Sequence, residues 1–167
     1  MQYLIVLVFW ITFFAFNNGG YFIGSPLYTH FTYMFCHAGI IHLTLNSLSF
    51  IAMFRFLSIY IKPLLLFSII LFIGFSASFF AECTLPTVGA SSMVYAMIGL
   101  FTGGILLGKY KIKNLEVFFI VLTLSLGISY FKQSSNFTLH IVSLLFGLLL
   151  TLFNTILRHE HKRPTTT

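Results

Sequence analysis

Six apolar runs separated by short polar segments fill almost the whole of this chain, which leaves it little with which to cover a water-facing surface. The runs cover about residues 2–16, 36–58, 63–81, 90–107, 114–131 and 139–157. Only 7% of residues are charged and 58% are hydrophobic, with a mean hydropathy of +0.98. Globular domains carry roughly 25% charged residues. The predicted fold class is therefore all-α, a polytopic membrane protein folded as one domain over residues 1–167. A spanning helix needs roughly 20 apolar residues, so the first, fourth and fifth runs are short for the task. The first run has no basic residues before it and no small-residue cleavage site, so it reads as a retained span rather than a signal peptide.

The connections carry turn and breaker residues. Asn17-Asn18-Gly19-Gly20 and Gly24-Ser25-Pro26 mark the first, Lys62-Pro63 the second and Leu85-Pro86 the third. Lys109 to Asn114 forms the fourth, and Lys132 to Asn136 the fifth. Charge placement supports six spans with both termini inside. Arg55, Lys62, Lys109, Lys111, Lys113, Arg158, Lys162 and Arg163 then lie on the inner side, and only Lys132 lies outside. This is the positive-inside asymmetry of a membrane protein. The net charge of +6 lies in short clusters with no long basic stripe, so nucleic acid is not an expected partner. Cys36 and Cys83 both fall near the outer face, as a single bridge or as two thiols, too few for a disulfide framework.

This topology gathers the polar groups of the apolar runs toward one side. Ser91 lies at the outer end of the fourth helix, His140 near that of the sixth, and His37 and His42 in the outer half of the second. Ionisable groups inside a membrane are costly and point to function. His42 and Asn46 are four apart and share a helix face. Two such donors can hold a developing oxyanion, or they can clamp two helices together. Ser91 follows Pro86 and Gly89, which predict an irregular entry into the membrane before the fourth helix. Its hydroxyl suits a nucleophile beside free helix N-terminal amides, or an ordinary N-cap. His140 suits a general base, or a buried histidine bonded to a neighbouring helix. The chain has no aspartate, and its acids are Glu82, Glu116 and Glu160. Only Glu82 falls on the same face, so a Ser–His dyad is the economical reading of a hydrolase. Tyr95, one turn after Ser91, is placed to pack against His140.

The other histidines carry less. His37 and His42 are five apart, which is not the i, i+4 spacing of a metal pair, and there is no HExxH sequence. No metal site is expected. His30 lies in the first loop without an assigned role, and His159 and His161 belong to the charged tail. Asn136-Phe137-Thr138 matches the glycosylation pattern.

Three segments in order resemble the rhomboid family of intramembrane serine proteases. His42-Leu43-Thr44-Leu45-Asn46 is similar to that family's HxxxN segment, with His37 as the accompanying upstream histidine. Gly89-Ala90-Ser91-Ser92 is similar to its GxSG nucleophile motif, followed by Val94-Tyr95-Ala96. His140 with Gly147 is similar to its sixth-helix motif. The resemblance covers about residues 30–157. It implies a six-helix bundle around a water-filled cavity open to the outer side. In that reading Ser91 is the nucleophile and His140 the base. Ser91 N–H, His42 and Asn46 form the oxyanion site, with Gly89, Tyr95 and Gly147 in support. The implied partners are single-span transmembrane protein substrates and the lipid bilayer, with no cofactor. The expected setting is a bacterial plasma membrane.

The chain also departs from the family pattern. Ser92 and Ser143 stand where glycines are usual, the first loop (about 17–35) is short, and a Trp-Arg pair carried by some members is missing. A catalytically inactive relative that binds transmembrane helices is the alternative, along with a processing enzyme acting on C-terminal sorting helices. From a different class, a small transporter is a further reading.

Overall fold

The structure, a computed structural model, describes residues 1–15, 19–81, 84–110, 115–131 and 136–160, the last six as backbone only. Asn17, Asn18, Glu82, Cys83, Lys111, Lys113 and Lys132 lie outside the described residues, as do His161, Lys162 and Arg163. The chain forms α1 (Gln2–Ala15), α2 (Thr29–Thr32), a 3-10 turn (Tyr33–Phe35), α3 (Ile40–Leu57), α4 (Pro63–Ser78), α5 (Ser91–Leu106), α6 (Leu115–Phe131) and α7 (Phe137–Glu160). The all-helical fold class holds, and the described residues contain no sheet beyond one isolated bridge between Tyr21 and Thr87. Each apolar run becomes one long helix. Two of these are long and apolar enough to cross a membrane, over the 18-residue stretches Ile40–Leu57 and Phe137–Asn154, and the other four are 14 to 17 residues long.

α5 is the central helix. Apart from Ser91, Ile98, Ile105 and Leu106, all its residues are buried. Burial all round a helix requires neighbours on every side, and α3, α4 and α7 supply them, α7 most extensively. That pairing depends on small residues. A Cβ added at Gly147 of α7 would strike the carbonyl oxygen of Ala96, and one at Gly99 of α5 would strike that of Leu144. Two backbones this close exclude any side chain between them. Ser143, fully buried on α7, is small enough to share the seam. α6 is the opposite case, with Ser129 its single buried residue. The outer surface of the bundle is apolar. Leu4, Phe14, Ile41, Leu64, Phe72 and Phe131 are each more than 60% exposed, a display that suits lipid rather than water.

The structure corrects two sequence expectations. Residues Cys36–Gly39 are not helical, so His37 does not lie on the second long helix. Cys36 is extended, and α3 begins only after the extended N-cap Gly39. Glycine is a poor helix former, and here it stands as the extended residue immediately before the first helical one. The first loop also contains more structure than its turn residues suggest. α2 and the 3-10 turn bury Thr29, His30, Tyr33 and Met34. His30 is a packing residue here. Its ring stacks on Phe79 at 4.5 Å and on Tyr21 at 5.0 Å, with Nδ1 2.9 Å from Ser78 Oγ.

Asn136 ties the loops to the start of α7. Its Oδ1 caps the helix by accepting from Leu139 N at 3.0 Å. Its Nδ2 group donates to Ala81 O, Tyr21 Oη and Thr87 Oγ1 at 2.7, 3.1 and 3.2 Å. The nitrogen that a glycan would occupy is thus committed inside the fold, so the glycosylation pattern does not mark an available site. Asn136→Ala removes both the cap and the loop ties, and we expect it to cost about 1–3 kcal/mol. Asn136→Asp keeps the cap and should cost less. Thermal unfolding of the two variants in detergent checks the order.

Candidate active site

Ser91 is the first residue of α5, and the loop before it is held in place from three sides. Tyr21 and Thr87 exchange backbone hydrogen bonds at 3.1 and 2.8 Å. Gly89 N donates to Tyr33 O at 2.9 Å, and Ala90 N donates to His37 Nε2 at 3.4 Å. Ala90 is the N-cap and makes no side-chain cap bond. The N-cap alternative for Ser91 is therefore not realised. Its half-buried hydroxyl turns instead to His140, with Ser91 Oγ 2.8 Å from His140 Nε2. The first helical bond of α5 runs from Val94 N to Ala90 O, which leaves Ser91 N outside the helix ladder.

Gly89 has φ +126°, a backbone conformation that favours glycine. It is also the point toward which α3 directs its donors. A Cβ at Gly89 would lie 2.6 Å from His42 Cε1, 2.9 Å from His42 Nε2 and 3.3 Å from Asn46 Nδ2. His42 and Asn46, one turn apart on α3, thus converge on the backbone two residues before Ser91. Asn46 is buried, and its Nδ2 has no hydrogen-bond partner among the described residues. A buried donor without a partner costs about 1–3 kcal/mol, so a fold that retains one has a use for it.

His140 lies one turn into α7 and is buried. The Tyr95 ring stacks on it at 4.3 Å with 20° between planes. The structure thus brings together Ser91, His140, Tyr95, His42, Asn46 and Gly89, while Gly147 lies farther down α7 and sets its distance from α5. His37 stands behind the group, with its ring 5.4 Å from that of His42.

The two departures from glycine fare differently. Ser92 points away from Ser91 into a fully buried position, where its Oγ lies 2.8 Å from Tyr33 Oη, which donates its one proton to Gly74 O, also at 2.8 Å. The missing Cβ at Gly74 makes the room, since one there would lie 3.1 Å from Ser92 Oγ. Ser92 therefore does not narrow the approach to Ser91. Ser143 is also fully buried, and its Oγ has no partner among the described residues.

Sequence reasoning misses two residues of this region. Ser129 Oγ is 2.7 Å from His140 Nδ1, and Ser125 Oγ is 2.5 Å from Tyr95 Oη. The available signal was a pair of serines four apart in an otherwise apolar run, which places both on one helix face.

The arrangement defines a class: a helical membrane-type bundle with a serine–imidazole pair beside two converging side-chain donors. Comparison with known families agrees. The Rhomboid domain matches residues 24–155, well over half of the chain. The chain belongs to the rhomboid family and is an integral membrane protein. That family is in general one of serine intramembrane proteases acting on transmembrane substrates within the bilayer. No curated protein gives a significant match to the chain.

Proposed function

We propose that this protein is an intramembrane serine endopeptidase that cleaves single-span membrane proteins with a Ser91–His140 dyad. The observation that carries this reading is the 2.8 Å approach of Ser91 Oγ to His140 Nε2. Ser91 Oγ attacks the scissile carbonyl carbon while Nε2 takes the hydroxyl proton. The carbonyl oxygen becomes the oxyanion of a tetrahedral intermediate. Ser91 N–H, Asn46 Nδ2 and His42 Nε2 are its donors, beside the bare α-carbon of Gly89. The intermediate collapses with cleavage of the C–N bond, and His140 returns its proton to the leaving amine. Water then attacks the acyl-serine with His140 again as base, and release of the acid restores Ser91.

The charge asymmetry supports six spans, both termini on the cytoplasmic side and an active site opening outward. A bacterial plasma membrane is the setting we propose. The test is reaction of the protein in proteoliposomes with a serine-reactive fluorophosphonate, alongside cleavage of a single-span reporter. We expect a covalent adduct on Ser91 and cleavage at or beside the reporter's transmembrane segment. A wild-type protein that does neither, while still capturing transmembrane helices, is the inactive helix-binding relative instead.

A further inference from the structure

The imidazole of a Ser–His pair must be held in one tautomer. For Nε2 to accept the Ser91 proton, its lone pair must be free, so the single N–H of the neutral ring sits on Nδ1. In a triad, a buried aspartate accepts that N–H. This chain has no aspartate, and of its three glutamates Glu82 lies outside the described residues. Glu116 lies 13 residues before Ser129 along α6, about 20 Å at the helical rise. Glu160 lies 20 residues beyond His140 along α7, about 30 Å.

The group that does meet Nδ1 is Ser129 Oγ, at 2.7 Å. Two observations set this contact apart from an incidental one. Ser129 is the single buried residue of α6, a helix that otherwise presents exposed or half-buried side chains along its length. One turn earlier, Ser125 Oγ meets Tyr95 Oη at 2.5 Å, and Tyr95 stacks on the same imidazole. Two serines on one face of α6 therefore hold both members of the stacked pair.

We propose that Ser129 is a positioning residue whose hydroxyl accepts the Nδ1–H of His140 and so fixes the tautomer and ring angle that the dyad needs. This rests on the Ser91–His140 reading above. A neutral hydroxyl is a weaker acceptor than a carboxylate, so the effect should fall well below the roughly 10⁴-fold of a lost triad aspartate. Loss of one neutral hydrogen bond corresponds to about twofold to tenfold in rate. It should appear in kcat and leave KM unchanged, because Ser129 contacts the imidazole rather than substrate.

The test compares wild type, Ser129→Ala, Ser129→Thr and, as a control on the exposed side of α6, Thr123→Ala. Two readouts are used: reporter kinetics, and ¹⁵N NMR of labelled histidine to report which nitrogen of His140 is protonated. We expect wild type to carry the proton on Nδ1 and Ser129→Ala to show Nε2-protonated ring with kcat reduced about twofold to tenfold. Ser129→Thr should recover most of the rate, and Thr123→Ala should match wild type. A Ser129→Ala protein with wild-type kcat and wild-type Nδ1 protonation overturns the proposal. So does a kcat loss with unchanged tautomer and no recovery in Ser129→Thr, which is the mark of a purely structural role. If wild type neither cleaves nor labels, the protease reading fails, and the tautomer spectra still decide whether Ser129 holds Nδ1.

Discussion

Ser91→Ala and His140→Ala should each abolish reporter cleavage, by at least about 10⁴-fold, and the double variant should be no worse than either alone. The reason for the shared floor lies in the geometry. Ser91 Oγ is a nucleophile only while Nε2, 2.8 Å away, can take its proton. The imidazole has no target once Oγ is gone. Residues that act as one unit lose their whole contribution when either is removed. The residual rate would be that of the three donors at Gly89 acting on a bound substrate. Ser91→Ala removes one half-buried hydroxyl and should keep the wild-type unfolding midpoint, whereas His140→Ala also removes the stack on Tyr95 and the bond to Ser129 and should lower it, so its cleavage is read on the folded fraction. Cleavage that persists in Ser91→Ala at the wild-type rate would remove the dyad reading outright. Additive losses in the double variant would show that the two residues work independently.

The parts of this site that were legible in the sequence are those whose chemistry is unusual for their surroundings. His42, Asn46, Ser91 and His140 are polar groups in apolar runs, and helical spacing alone puts the first two on one face. Charge placement predicts that Ser91, His140 and His42 approach one side of the membrane. Ser129 was not legible because its role depends on how α6 lies against α7. A serine in an apolar helix most often bonds its own helix backbone, and nothing in the spacing of 125 and 129 says which neighbour they face. The role of Asn136 was not legible for a related reason. Its sequence context matches a surface modification pattern, whereas three acceptors from distant segments decide its role. The start of α3 was set too early because Cys36-His37-Ala38 continues the apolar run without a proline or a charge. Hydropathy marks the membrane segment, but the extended backbone at Cys36 and Gly39 ends the helix inside it. That same non-helical stretch lets His37 turn back to the amide of Ala90, a contact that the expected helical placement does not suggest.

The second large effect concerns the seam that sets the dyad distance. Ser91 belongs to α5 and His140 to α7, so their separation is fixed by how closely these helices approach. That approach is set at Gly99 and Gly147, where any side chain would meet the carbonyl oxygen of Leu144 or Ala96 respectively. Backbone cannot rotate away as a flexible side chain does. The helices must therefore separate. We expect Gly147→Val and Gly99→Val each to destabilise the protein by about 3 kcal/mol or more, the upper end of overpacking costs. Separation of about 1 Å at the reacting atoms can alone cost about 10²-fold in rate, so cleavage should fall further than the folded fraction does. The two substitutions act on one interface, and together they should cost less than their sum. Gly127→Ala on α6 is the matched control. Nothing lies within 4 Å of a Cβ there, and alanine is the better helix former, so it should be neutral or slightly stabilising. Thermal unfolding in detergent, with reporter cleavage on the folded fraction, separates the two effects. If Gly147→Val keeps the wild-type midpoint and rate, the close α5–α7 approach does not set the Ser91–His140 distance. If stability is lost but the folded fraction cleaves at full rate, the seam holds the bundle together without tuning the site.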